Sequence, residues 1–109
     1  MIAFLIEAQV RPEKWNEFLT IIRNVKERLK ENEHCDQLKV YVDMDNQFIF
    51  SINSFWKSSN GFVKFLRSDE FSMFLLAFKI LRKNPEIRYF KKEEVGGIES
   101  LRQLRKLVK

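Results

Sequence analysis

The sequence predicts one α+β domain, ordered strand–helix–strand–strand–helix–strand, followed by a short basic helix. Three observations carry this. Apolar residues alternate through Ile2–Val10, Leu38–Val42 and Gln47–Trp56, the period-two pattern of strands with a buried face. They recur at helical spacing through Trp15–Leu29 and Phe62–Leu81, as in helices with one apolar stripe. Turn and cap residues separate these segments: Arg11-Pro12, Asp43-Met44-Asp45-Asn46, Ser58-Ser59 and Asn84-Pro85. At 109 residues the chain suits a single domain that can bury a real core.

Taken in order, Ile2, Phe4, Ile6, Ala8 and Val10 share one face of the first strand, with Glu7 and Gln9 on the other. Pro12 is well placed in the first turn of a helix, expected from about Pro12 to Lys30 on Trp15, Phe18, Leu19, Ile22, Val25 and Leu29. The stretch Glu31–Asp36, holding His34 and Cys35, reads as a loop. A second strand follows on Leu38, Val40 and Val42, then a hairpin turn and a third strand from Gln47 to Trp56. Ser58 and Ser59 can cap the next helix, and Ser68-Asp69 looks like a second cap, giving a short helix and then a longer one. A fourth strand is expected from Glu86 to Val95. Beyond Gly96-Gly97, residues Ile98, Leu101, Leu104, Leu107 and Val108 make an amphipathic helix. Residues 1–95 are thus expected to form the domain and 96–109 a basic helical tail.

Two strand–helix–strand halves joined by a hairpin give a ferredoxin-like βαββαβ fold with an antiparallel sheet, one face covered by helices. Leu5, Ile49, Phe55 and Phe90 make the other face apolar as well. Such a face asks for a second covering, either a homodimer partner packed sheet to sheet or a ligand cavity.

Composition excludes several classes. Cys35 is the only cysteine, so no internal disulfide forms, which suits a cytoplasmic, reducing compartment. No apolar run reaches the length of a membrane span, and Glu7 interrupts the opening apolar segment, so no signal peptide is expected. His34 beside Cys35 supplies two adjacent donors where zinc wants four at wider spacings, so no metal site is expected. With three glycines, two of them adjacent, no phosphate-binding loop forms, and no cofactor is called for. The net charge of +5 is uneven: residues 1–78 carry 10 basic and 11 acidic side chains, residues 79–109 carry 10 and 4. A basic tail can meet nucleic acid or anionic membrane; the plain expectation is a solvated helix face. Gly61-Phe62-Val63-Lys64-Phe65 matches the end of the RNA-recognition octamer. That octamer belongs on a third strand, whereas Phe62, Phe65 and Leu66 stand at helical spacing, so nucleic-acid binding is not the expected role.

Phe55-Trp56-Lys57-Ser58, followed by Phe62, Leu66, Ser68-Asp69 and Phe71, resembles the antibiotic-biosynthesis-monooxygenase family of dimeric α/β barrels. The opening Ile6–Lys14 is similar to that family's first strand and turn. The likeness covers about Ile2 to Val95. It implies a homodimer through the sheet face, with an apolar pocket between sheet and helices in each subunit. It also implies either a cofactor-independent oxygenase of phenolic or quinol ligands or a small-molecule-binding protein. The position that is often His in oxygenase-like members, and Trp in the haem-degrading branch, is Phe65 here. The branch's iron-ligating His is replaced by Leu75, so haem degradation by that scheme is not implied.

A cofactor-free oxygenase needs a dry pocket that binds an electron-rich aromatic and stabilises its anion. The expected apolar walls are Trp56, Phe65, Phe71, Phe50, Phe4, Ile6 and Ile52. The polar candidates are Asn53, Ser54, Tyr41, Tyr89 and Arg88, which pleat alternation cannot bring to one side together. No residue is assigned a catalytic role. The alternative is a non-catalytic dimer whose phenylalanines, of which there are 11, fill the pocket.

Overall fold

The computed structural model describes residues 1–91 and 97–107. Alternation decides the first strand: β1 (Ile2–Gln9) buries Ile2, Phe4, Ile6 and Ala8 on one side. Pro12 starts a single 3₁₀ turn (Pro12–Lys14), which leads directly into α1 (Trp15–Leu29). The expected helix is therefore one tight turn and one α-helix, with Phe18, Ile22, Val25 and Leu29 on the buried stripe.

β2 (Cys35–Val42) starts earlier than its apolar alternation suggests. Cys35 is not in a loop: it opens the strand opposite Trp56, and the register shifts between Cys35 and Gln37. Bulges of this kind hide a strand's start, because they break the period by one residue. β3 (Ile49–Trp56) in turn begins two residues later than Gln47. There the side chains compete with the ladder: Asp43 Oδ2 accepts from the amides of Asp45 and Asn46, and Asn46 Oδ1 from that of Phe48.

Two capped helices follow, α2 (Ser59–Leu66) and α3 (Asp69–Lys79). Ser58 Oγ accepts from the Gly61 amide at 3.0 Å. Ser68 serves both helices, since its hydroxyl donates to Phe65 O at 2.6 Å and accepts from the Phe71 amide at 3.3 Å. The bend between α2 and α3 is thus held by one side chain. β4 (Glu86–Lys91) is exposed along its length, and the rest of the expected strand, to Val95, lies outside the described residues. α4 (Ile98–Leu107) closes the described chain.

The four strands are antiparallel in the order β2-β3-β1-β4, the ferredoxin-like arrangement. The core lies between the sheet and α1–α3, and Leu81 seals its far end through a bridge to Val10. On the open face, Ala3, Leu5, Ile49, Phe55 and Phe90 share the surface with Glu7, Lys39, Tyr41, Asn53 and Arg88. Among the described residues no helix is long and apolar enough to cross a membrane, and no cluster of His, Cys, Asp or Glu could hold a metal ion.

Candidate functional site

The register of β4 on β1 creates an apolar concavity. Tyr89 pairs with Phe4 and Ile87 with Ile6, so both project on the helix side of the sheet, at its edge. α2 and α3 bend at Ser68 and bring Phe62, Val63, Leu66 and Phe71 to the opposite wall. Between them runs a groove of about 460 Å³, completed by Ile2, Phe4 and Ser59. Of these lining residues only Ser59 and Tyr89 have polar side chains. Tyr89 is 70% exposed at the mouth, with its ring 6.3 Å from that of Phe62.

Behind the groove the aromatic rings close up. Phe4 contacts Phe62, Phe65 and Phe71 at centroid distances of 5.2, 6.4 and 6.4 Å. Phe65 meets Phe71 edge-on at 5.5 Å and Phe74 at 6.0 Å. Trp56 stacks on Phe65 at 4.3 Å and 22°, and both rings are essentially inaccessible (0% and 1%). The indole is also satisfied: Trp56 Nε1 donates to Ser54 Oγ at 3.0 Å, and Ser54 donates onward to Phe4 O at 3.4 Å. Aromatic packing of this kind stabilises each ring pair beyond simple burial.

The nominated residues therefore separate into four groups. Phe4, Phe71 and Tyr89 line the groove. Trp56, Phe65 and Ser54 form the wall behind it, while Phe50, Ile6 and Ile52 lie in the core, with Phe50 against Phe18 at 5.1 Å. Asn53, Tyr41 and Arg88 are on the open face; Asn53 and Arg88 share a shallow pocket of about 230 Å³ with Leu5, Glu7, Ser51 and Glu86. Ile87, Phe62, Val63 and Leu66 were not among the sequence candidates. A signal existed: Val63 and Leu66 are apolar beyond what one buried helix stripe needs, and Ile87 shares a strand face with Tyr89.

Other reactive groups are occupied structurally. Burial pushes the Cys35 thiol up, with Asp36 adding to the rise against the Gln37 amide and Lys57, so it stays a protonated thiol and a poor nucleophile. His34 packs over Gly61, its Nε2 lies 3.5 Å from the Glu33 carboxylate, and its carbonyl accepts from the Lys57 amide at 3.0 Å.

Residues 1–75 match the model of the antibiotic biosynthesis monooxygenase family. The chain belongs to that family. A conserved protein from Methanosarcina mazei Go1 is 30% identical, with a TM-score of 0.79 over 84% of this chain and 92% of that one. A crystallised antibiotic biosynthesis monooxygenase superposes with a TM-score of 0.78 at 15% identity, covering 86% and 100% of the two chains. Rv0793 from Mycobacterium tuberculosis gives 0.79 at 9% identity, covering 88% and 98%. The last two likenesses speak to the fold alone. No curated protein matches the chain. Family membership supports a general small-molecule-binding or monooxygenase-like role, and this chain's groove stands between sheet and helices, where the sequence resemblance implies a pocket.

Proposed function

We propose that the protein holds a flat, apolar, quinol-like aromatic in the groove between β4 and the α2–α3 bend, and oxidises it as a cofactor-independent monooxygenase. The observation that carries this is the groove itself: about 460 Å³, walled by Ile2, Phe4, Phe62, Phe71, Ile87 and their neighbours, with Ser59 and Tyr89 the hydroxyl-bearing residues of its lining. A volume of this size suits a small aromatic ligand. An apolar wall favours an electron-rich ring and excludes water, and a hydroxyl at its mouth can hydrogen-bond a phenolate oxygen as charge develops. In the reaction one oxygen atom of O₂ enters the ligand and the other leaves as water, with the ligand supplying the electrons.

The unit that does this is residues 1–95, assembled as a homodimer through the open sheet face, in the cytoplasm. Leu5, Ile49 and Phe55, half-buried, and Phe90, half-exposed, support that pairing. Phe90→Asp leaves the core alone, so it is expected to convert a dimer to a monomer in light scattering.

The test of the site is binding and turnover of a quinol panel with and without oxygen. Oxygen-dependent products are expected, and Ile87→Glu, which puts a charge into the groove without emptying the core, should weaken ligand binding by at least about tenfold. Identical products in air and under argon would remove the oxygenase activity and leave a binding protein. One observation favours that second reading, a non-catalytic dimer: the Trp56–Phe65 stack fills the space into which the groove would otherwise deepen.

A further inference from the structure

The tail carries a surface that the groove does not use. Ile98, Leu101 and Leu104 of α4 are 65%, 63% and 57% exposed. At three-residue intervals they form an apolar stripe roughly 120° wide on a helix. Arg102, with Lys106 beside it, borders that stripe along one edge, and Arg105 falls within it, between Ile98 and Leu101 around the helix. Glu99 is α4's sole acidic residue, and it is engaged by Arg102 Nη1 at 2.7 Å.

We infer that α4 is a reversible anchor for an anionic lipid surface. The combination is the one such a surface selects: a short helix of low overall hydrophobicity, a solvent-facing apolar stripe, and basic residues beside and within it. The stripe enters the boundary between headgroups and acyl chains, while the guanidinium and ammonium groups reach back to the phosphates. Charge complementarity decides among occupants. A second copy would set one net-positive helix against another. Nucleic acid would take the basic edge and leave Ile98, Leu101 and Leu104 in water. A bilayer rich in anionic headgroups satisfies both faces and demands no matching shape.

The experiment is vesicle co-sedimentation of the full chain, using phosphatidylcholine alone and phosphatidylcholine with about one-third phosphatidylserine. Binding is expected to the anionic vesicles alone and to weaken as salt rises. Arg102→Gln with Arg105→Gln should lower affinity by about fivefold per residue removed. Leu101→Glu with Leu104→Glu should abolish binding while circular dichroism and melting stay unchanged, because neither leucine is buried. Failure to bind, or equal binding to both vesicles, overturns the inference. So does retention of both substituted chains on anionic vesicles. Two other results assign the stripe or the edge elsewhere and also overturn it: self-association lost on Leu101→Glu, or capture of an oligonucleotide that survives it.

Discussion

Replacing Trp56 by phenylalanine separates a packing role from a ligand role. The indole is fully buried, stacked on Phe65 at 4.3 Å and bonded to Ser54 at 3.0 Å. The exchange removes about 40 Å³, and a cavity of that size costs about 1 kcal/mol at roughly 24 cal/mol per Å³. Losing the bond to Ser54 adds about 1 kcal/mol, and the lost transfer of the removed ring atoms roughly 0.5–1 kcal/mol more. A destabilisation of about 2–3 kcal/mol is expected from urea denaturation, read as a lower midpoint at unchanged slope. Ser54→Ala alone should cost about 1 kcal/mol, and the double variant less than the sum, since both changes remove the same bond. Ligand affinity of the folded Trp56→Phe protein should change little, because Phe4, Phe62 and Phe71 line the groove and Trp56 does not. A stability change below about 0.5 kcal/mol refutes the packing reasoning. A loss of affinity above tenfold in the folded variant shows instead that the indole belongs to the site.

Three further outcomes are expected. Ser68→Ala should cost about 1–2 kcal/mol in chemical denaturation, because one hydroxyl closes α2 and opens α3; no loss would mean the bend is held by packing alone. Gly61→Ala should destabilise by about 1–3 kcal/mol, since its new Cβ would stand 2.6 Å from His34 Cβ; a melting temperature at or above wild type refutes this. The raised Cys35 pKa favours the thiol in the folded state, so its contribution is present below the ordinary thiol pKa and lost as pH rises through the folded value. Alkylation by iodoacetamide at neutral pH should accordingly be slower in the folded protein than in urea, and a faster folded-state reaction would contradict the burial argument.

The parts of the fold that were legible in the sequence are those set by local periodicity. Ile2–Val10 and Phe50–Trp56 alternate because each has a core side, and Phe18, Ile22, Val25 and Leu29 mark one helical stripe. Ser68-Asp69 announced the break between α2 and α3 through cap chemistry that needs only neighbouring residues. The start of β2 was not legible, because a bulge at Cys35 is decided by pairing with Trp56, 21 positions along the chain. Gln47 and Phe48 escaped for the opposite reason: Asn46 captures the Phe48 amide before the ladder can.

The family segment from Phe55 to Phe71 could likewise be read from its residues alone, and Ser59, Phe62, Val63, Leu66 and Phe71 of it line the groove. What it could not say is which aromatic rings line the groove and which face each other. That was decided by tertiary structure. Phe4 and Trp56 each sit on the buried face of a strand and Phe65 on a buried helix stripe, yet Phe4 reaches the groove while Phe65 and Trp56 pack flat against one another behind it. The difference comes from the pairing of Tyr89 with Phe4 at one edge and the bend at Ser68 on the other. Periodicity assigns a residue to a face. Only the distance between two faces remote in sequence makes that face a wall of a site or part of a filled core.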